Sequence, residues 1–97
     1  MYYLYILYSE KYDRYYVGQT NDPERRLEEH NSALKNSYTA KYRPWKMVGK
    51  FEIGPSLGVA RKVENHIKRQ NSRTYIEEIL TRGSISKLIS RYGVEKG

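Results

Sequence analysis

The spacing of hydrophobic and polar positions changes along this chain, and each change marks an element. Tyr2 to Tyr8 is an unbroken aromatic and aliphatic run, which predicts a strand. Ser9 to Asp13 is polar and turn-like, and Arg14 to Gly18 returns to strand character. Together they predict a β-hairpin with a loop of about five residues. Asn21-Asp22-Pro23 predicts a helix start, with Asp22 as N-cap and Pro23 at the first helical position, where its missing N–H costs nothing. That helix is expected to run to about Ala33, with Leu27 and Leu34 on one face. Asn36 to Pro44 shows no period and reads as loop. Trp45 to Ile53 alternates, with Trp45, Met47, Phe51 and Ile53 on one face and Lys46, Lys50 and Glu52 mostly opposite, as in a half-buried strand.

After the Gly54-Pro55-Ser56 break the period becomes helical. Ser56 or Gly58 opens a helix to about Gln70, whose apolar stripe is Val59, Ala60, Val63 and Ile67. A further helix is expected over Thr74 to Leu80 and ends at Gly83. Ser84 is expected to cap a last one, about 84–92, carrying Ile85, Leu88, Ile89 and Tyr92 and stopped by Gly93. The order β-β-α-β-α-α-α gives an α+β fold, a small three-stranded antiparallel sheet flanked by helices. At 97 residues the chain makes one domain, residues 1–97, with its core within about 1–80.

Composition narrows the chemistry. There is no Cys, hence no disulfide scaffold, thiolate nucleophile or cysteine-zinc site. No apolar run approaches a membrane span and no N-terminal stretch reads as a signal peptide, so the expected location is the cytoplasm, with no membrane partner. Walker, G-x-G-x-x-G and G-x-S-x-G motifs are absent. Eleven Tyr stand against one Phe and one Trp, so phenol rings must fill much of the core and its rim. Eighteen Lys+Arg against 11 Asp+Glu give a net charge of +7, which argues for a polyanionic partner. Residues 1–34 are net −2 and residues 35–97 net +9. Tyr38, Lys41, Arg43, Trp45 and Lys46 interleave cations with aromatics, which suits a phosphate backbone with exposed bases, or else a solvated loop and strand. Arg61, Lys62, Lys68 and Arg69 offer a second basic face.

Two phenols, Tyr5 and Tyr16, fall on neighbouring strands of the hairpin and can converge. Gly18 follows, where a ligand can approach the backbone, and then a capped helix carries Arg26 and His30 four residues apart on one face. An arginine beside two phenols makes a phosphate cradle and favours a phenolate. The alternative pairs Arg26 with Glu29 and packs His30. Glu64 borders the apolar stripe of a later helix, a place that demands a partner. One carboxylate with phosphate oxygens and waters is a normal Mg²⁺ arrangement, while an i,i+4 pair with Lys68 is the alternative.

Tyr3-Leu4-Tyr5, then Tyr16-Val17-Gly18, then Asn21-Asp22-Pro23 leading to Arg26 and His30, and finally Glu64, resemble the GIY-YIG nuclease family over roughly residues 1–80. The chain looks most like the family's small stand-alone bacterial members, which are similar to the N-terminal nuclease domain found in the bacterial excinuclease. The resemblance implies a metal-dependent endonuclease that hydrolyses phosphodiester bonds in DNA ahead of RNA, including branched or damaged structures. It implies Tyr5 as activator of the attacking water, Tyr16 as its support, Arg26 on the scissile phosphate, His30 in proton transfer and Glu64 as the ligand of Mg²⁺ or Mn²⁺. Tyr38, Lys41, Arg43, Lys46, Arg61 and Lys68 are then the expected nucleic-acid contacts. The family also uses an asparagine after the glutamate; here Asn65 is too close and Asn71 sits where helix capping explains it. The competing reading is a nucleic-acid-binding module with the same fold and little or no cleavage. A monomer is the default expectation.

Overall fold

The computed structural model describes residues 1–32 and 38–93. Its elements are β1 (Tyr2–Ser9), β2 (Arg14–Thr20), α1 (Pro23–Asn31), α2 (Tyr38–Lys41), β3 (Lys46–Gly54), α3 (Leu57–Gln70), α4 (Arg73–Arg82) and α5 (Ser86–Tyr92). The three strands form one antiparallel sheet in the order β2-β1-β3. β1 is central and carries helices over both faces, which is why Leu4, Tyr5, Ile6 and Leu7 are all buried instead of alternating. On one face Leu4, Ile6, Val17 and Ile53 meet Ala60, Val63 and Ile67 of α3, with Ile79 and Leu88 behind them. On the other, Tyr5, Leu7 and Trp45 pack with Tyr16, Leu27, Tyr42 and Met47. The sheet is thus sandwiched between α1 and α2 on one side and α3 to α5 on the other.

The hairpin, the capped helix and the order of the remaining elements are as the sequence predicts. Asp22 accepts from the Arg25 N–H, with Pro23 beginning the helix, and Ser56 rather than Gly58 caps α3 by accepting from the Val59 N–H. Gly83 ends α4 at φ 70°, the left-handed conformation that glycine adopts without strain.

The structure corrects five expectations. A short helix, α2, lies within the stretch read as loop, and α1 ends at Asn31, short of the expected Ala33, because Ser32 turns to extended backbone as its C-cap; residues 33–37, Leu34 among them, fall outside the described residues. α4 begins a residue early, at Arg73, because Ser72 caps it by accepting from the Tyr75 N–H. Ser84 does not cap α5: its Oγ accepts from the Ser86 N–H, and Ile85 occupies the cap position without a side-chain bond. The alternation of β3 is broken. Ile6 pairs with Gly49 but Leu7 pairs with Met47, so Val48 is an extra residue and the faces exchange there. Trp45 and Met47 pack with Tyr5, whereas Phe51 and Ile53 pack on the opposite face with Leu4. The same exchange places Lys50 opposite Tyr5, where its ammonium reaches Glu24 of α1 at 3.2 Å.

Candidate active site

Pairing of β1 with β2 sets Tyr5 opposite Gly18 and Leu7 opposite Tyr16, which turns both phenols toward α1. Gly18 is required by packing: a Cβ built there would lie 2.5 Å from Tyr5 Cζ. Tyr5 is almost fully buried, and its hydroxyl meets His30 Nε2 at 2.8 Å. Tyr16 completes the triangle, its ring 6.4 Å from that of Tyr5 and 4.9 Å from that of His30. His30 Nδ1 lies 2.8 Å from Thr39 Oγ1 on α2, and Trp45 Nε1 donates to the Thr39 carbonyl at 2.7 Å. The tautomer with Nδ1–H donating to Thr39 leaves Nε2 to accept from the Tyr5 hydroxyl. Arg26 donates to Glu29 Oε1 at 3.1 Å, and its charge also acts on the Tyr5 phenol. The pairing of Arg26 with Glu29 is thus present, and it leaves the arginine close enough to the phenol for its charge to be felt there.

Glu64 comes from the other helical layer. α3 packs against β2, the outer strand, and Lys68 one turn after Glu64 binds the carboxylate at 2.9 Å while lying 5.1 Å from the centre of the Tyr16 ring. Glu64 is mostly covered, with 19% of its side chain exposed. The i,i+4 partnership with Lys68 is thus present and delivers a cation to the site. Burial raises the Tyr5 pKa well above the ordinary phenol range, Tyr16 adds to this, and Arg26 opposes it. Burial, reinforced by Arg26 and Lys68, lowers the His30 pKa, so the imidazole is neutral at pH 7.

Two grooves flank this cluster. One of about 260 Å³ is lined by Gln19, Arg25, Arg26 and Glu29, among others; the Gln19 Oε1 is buried with no hydrogen-bond partner among the described residues. The other, of about 510 Å³, is lined by Arg14, Tyr16, Tyr38, Lys68, Asn71 and Arg73 together with apolar floor residues. Of the expected nucleic-acid contacts, Tyr38 and Lys68 line this second groove. Arg61 is exposed on α3 and Lys41 is exposed on α2, its ammonium 5.5 Å from the Tyr42 ring centre. Lys46 is paired with Glu10 at 3.4 Å. Arg43 is half-buried and donates to the Ser32 carbonyl at 3.3 Å, a bond that ties the chain after α2 to the end of α1.

Compared with known proteins, the sequence profile of the GIY-YIG catalytic domain matches residues 1–76. The chain belongs to the GIY-YIG family. Among relatives, it is 35% identical over 83 residues to a structure-specific endonuclease subunit SLX1 of Debaryomyces hansenii, which covers 79% of this chain and 24% of that protein. It is 35% identical over 79 residues to a UPF0213 protein of Enterococcus faecalis, covering 77% of this chain and 89% of that one. A UPF0213 protein of Listeria innocua is 35% identical over 66 residues, covering 66% and 73%. The chain thus spans about a quarter of the length of the fungal relatives that it matches.

In GIY-YIG terms, the first motif supplies Tyr5 from β1 and the second supplies Tyr16 and Gly18 from β2. Thr39, Gln19 and the Lys50–Glu24 pair carry no signal of their own in the sequence pattern. Thr39 is hidden because a four-residue helix leaves no period to read. Gln19 directly follows the second motif, and that position is the available signal. Asn71 is the left-handed C-cap of α3, its N–H donating to the Lys68 carbonyl at 3.1 Å, and it also lines the larger groove. Asn31 is engaged elsewhere, holding the Trp45 backbone through bonds of 2.6 and 3.0 Å.

Proposed function

We propose that this chain is an endonuclease that hydrolyses phosphodiester bonds in DNA with a single divalent ion, Mg²⁺ or Mn²⁺, held by Glu64. The observation that carries the reading is the buried Tyr5–His30–Thr39 hydrogen-bond chain beside Arg26, with one carboxylate facing it from α3. Family membership and relatives named as endonuclease subunits support it. The donor set fits the ion. Among the described residues no group of three or more His, Asp or Glu is gathered, and a lone, mostly covered carboxylate suits a cation that keeps most of its water. When bound, the ion would neutralise charge developing on the scissile phosphate.

The chain's own groups do the rest. The neutral Tyr5 hydroxyl donates to His30 Nε2; burial holds the proton on the phenol, and it moves to the imidazole as Arg26 offsets the phenolate and the arriving phosphate offsets the imidazolium, which frees Tyr5 Oη to accept a proton from the attacking water. A bond forms from the water oxygen to phosphorus, the bond to the leaving oxygen breaks, and solvent protonates that oxygen. Arg26 stabilises both the transient phenolate and the phosphate oxygens, its orientation held by Glu29. Tyr16 closes the site over the water, and Gly18 leaves the space in which the Tyr5 hydroxyl sits.

The test is cleavage of labelled duplex and branched DNA in Mg²⁺, with EDTA as control. Tyr5→Phe is expected to lower turnover by about 100-fold or more, while melting only a few degrees lower, since the change leaves His30 one partner short at a cost of ~1 kcal/mol. Glu64→Gln is expected to abolish cleavage and leave DNA binding in place. Undiminished cleavage by either variant would reject the assignment of that residue. Binding without cleavage by the wild-type chain would favour the non-catalytic module.

A further inference from the structure

The proton chain and Arg26 leave one group of side chains unexplained, at the tip of the hairpin and on α2. Tyr12 and Tyr38 are 43% and 54% exposed, although both are large aromatic residues. Each leans on Tyr42, with ring centres 5.3 and 4.9 Å away, and Tyr42 itself is half-buried in the cluster containing Trp45. The Arg14 guanidinium stacks 4.4 Å from the Tyr42 ring centre and donates to the Tyr38 hydroxyl at 3.4 Å. Lys11 and Lys41 each lie 5.5 Å from a ring of the same group. Among the described residues, none of these three cations forms an ion pair with a carboxylate; Glu10 is taken by Lys46 and Asp13 by Arg73.

Stapling the hairpin to α2 accounts for Tyr42. It does not account for the outward rings of Tyr12 and Tyr38, which leave apolar surface in water beside unpaired positive charge. Rings with an open face next to cations suit unpaired bases: a base stacks on a ring for about 1–3 kcal/mol and the cations meet the adjoining phosphates. Duplex bases have no free face to offer. The position is also directional, because Arg14 and Tyr38 line the 510 Å³ groove that leads to Tyr16 and Lys68 beside Glu64.

We infer that Tyr12, Tyr38, Tyr42 and Arg14 form a stacking site for unpaired nucleobases of a single DNA strand that enters the active site along this groove. The inference rests on the nuclease reading above and assigns that site a substrate feature, an unpaired segment next to the strand being cut.

The experiment uses the full chain in EDTA and a duplex bearing a single-stranded arm with 2-aminopurine, compared with a blunt duplex of equal phosphate count. Binding is expected to quench the 2-aminopurine, and the armed DNA to bind about tenfold more tightly. Tyr12→Ala/Tyr38→Ala should abolish the quench and bring the two affinities within about twofold of one another, whereas Tyr12→Phe/Tyr38→Phe should retain both effects. Absence of quenching with the wild-type chain, or equal weakening of both DNAs by the alanine variant, overturns the site. Should the double alanine variant not fold by circular dichroism, Tyr38→Ala alone and the wild-type quench decide the matter. Because these readings need no cutting, quenching without any Mg²⁺-dependent cleavage would reject the nuclease reading and keep the base site. Cleavage indifferent to the arm, without quenching, would do the reverse.

Discussion

Lys68 does two things with one ammonium group: it neutralises Glu64 at 2.9 Å and covers the Tyr16 ring at 5.1 Å. On the proposed function, the divalent ion at Glu64 would have to share the carboxylate with it. Lys68→Met is therefore expected to tighten Mn²⁺ binding, followed by paramagnetic resonance, about three- to fivefold, in line with a partly exposed pair worth up to ~1 kcal/mol. Unchanged affinity would mean that Glu64 is not where the ion binds. His30 gives a second prediction. Burial, then Arg26 and Lys68, hold its pKa below the ordinary value, so below about pH 6.5 the unfolded chain takes up protons that the folded chain refuses. Stability should be complete above that pH and fall as pH drops toward the folded value. His66 is lowered in the same direction by burial, Arg91 and Arg69. His30→Gln should remove part of the loss seen by calorimetry between about pH 7.5 and 5.5, and His30→Gln/His66→Gln most of it. A double variant with the full loss would assign it to other groups.

Elements are legible where their cause is local. Asp22-Pro23, Ser56 and Gly83 announce their turns through short-range chemistry, and Val59, Ala60, Val63 and Ile67 repeat at the helical period, so α1, α3 and the end of α4 can be read directly. The face exchange in β3 cannot, because Val48 becomes an extra residue only once Ile6 and Leu7 have chosen partners on the next strand. The site follows the same division. Tyr5, Tyr16, Arg26, His30 and Glu64 can be named from spacing and resemblance, but Thr39 depends on α2, whose four residues show no repeat. One connection between distant elements is also invisible in sequence. Asp13, in the left-handed conformation at φ 53°, is held by Arg73 of α4 through its carboxylate and, at 3.1 Å, its carbonyl. Tyr8 donates to the same carboxylate at 2.6 Å. Arg73→Ala is expected to speed amide hydrogen exchange at residues 10–14 by about tenfold while the centre of β1 stays protected, because loops and core open separately. Equal loss of protection in both would show that the clamp supports the whole fold.

At the scale of the molecule, the site is assembled from the sheet and both helical layers, the phenols from β1 and β2, His30 and Arg26 from α1, and Glu64 with Lys68 from α3. No helix among the described residues is long and apolar enough to cross a membrane. The net +7 is carried by residues beyond 34, including the exposed Arg61 on the Glu64 helix. Arg61→Ala should flatten the slope of log binding constant against log salt by about 0.9, the value for one phosphate contact, with Lys46→Ala changing it less because Glu10 already holds that lysine. Equal slopes for the wild type and Arg61→Ala would move the DNA path off α3. The short helix α2 carries a consequence for protein engineering. Tyr38 opens onto the groove while its neighbour Thr39 is buried against His30 and Trp45. Libraries that randomise α2 to retune substrate preference will lose turnover alongside it, and the independent handle is Tyr12, which sits on the hairpin and, among the described residues, has no bond to the proton chain.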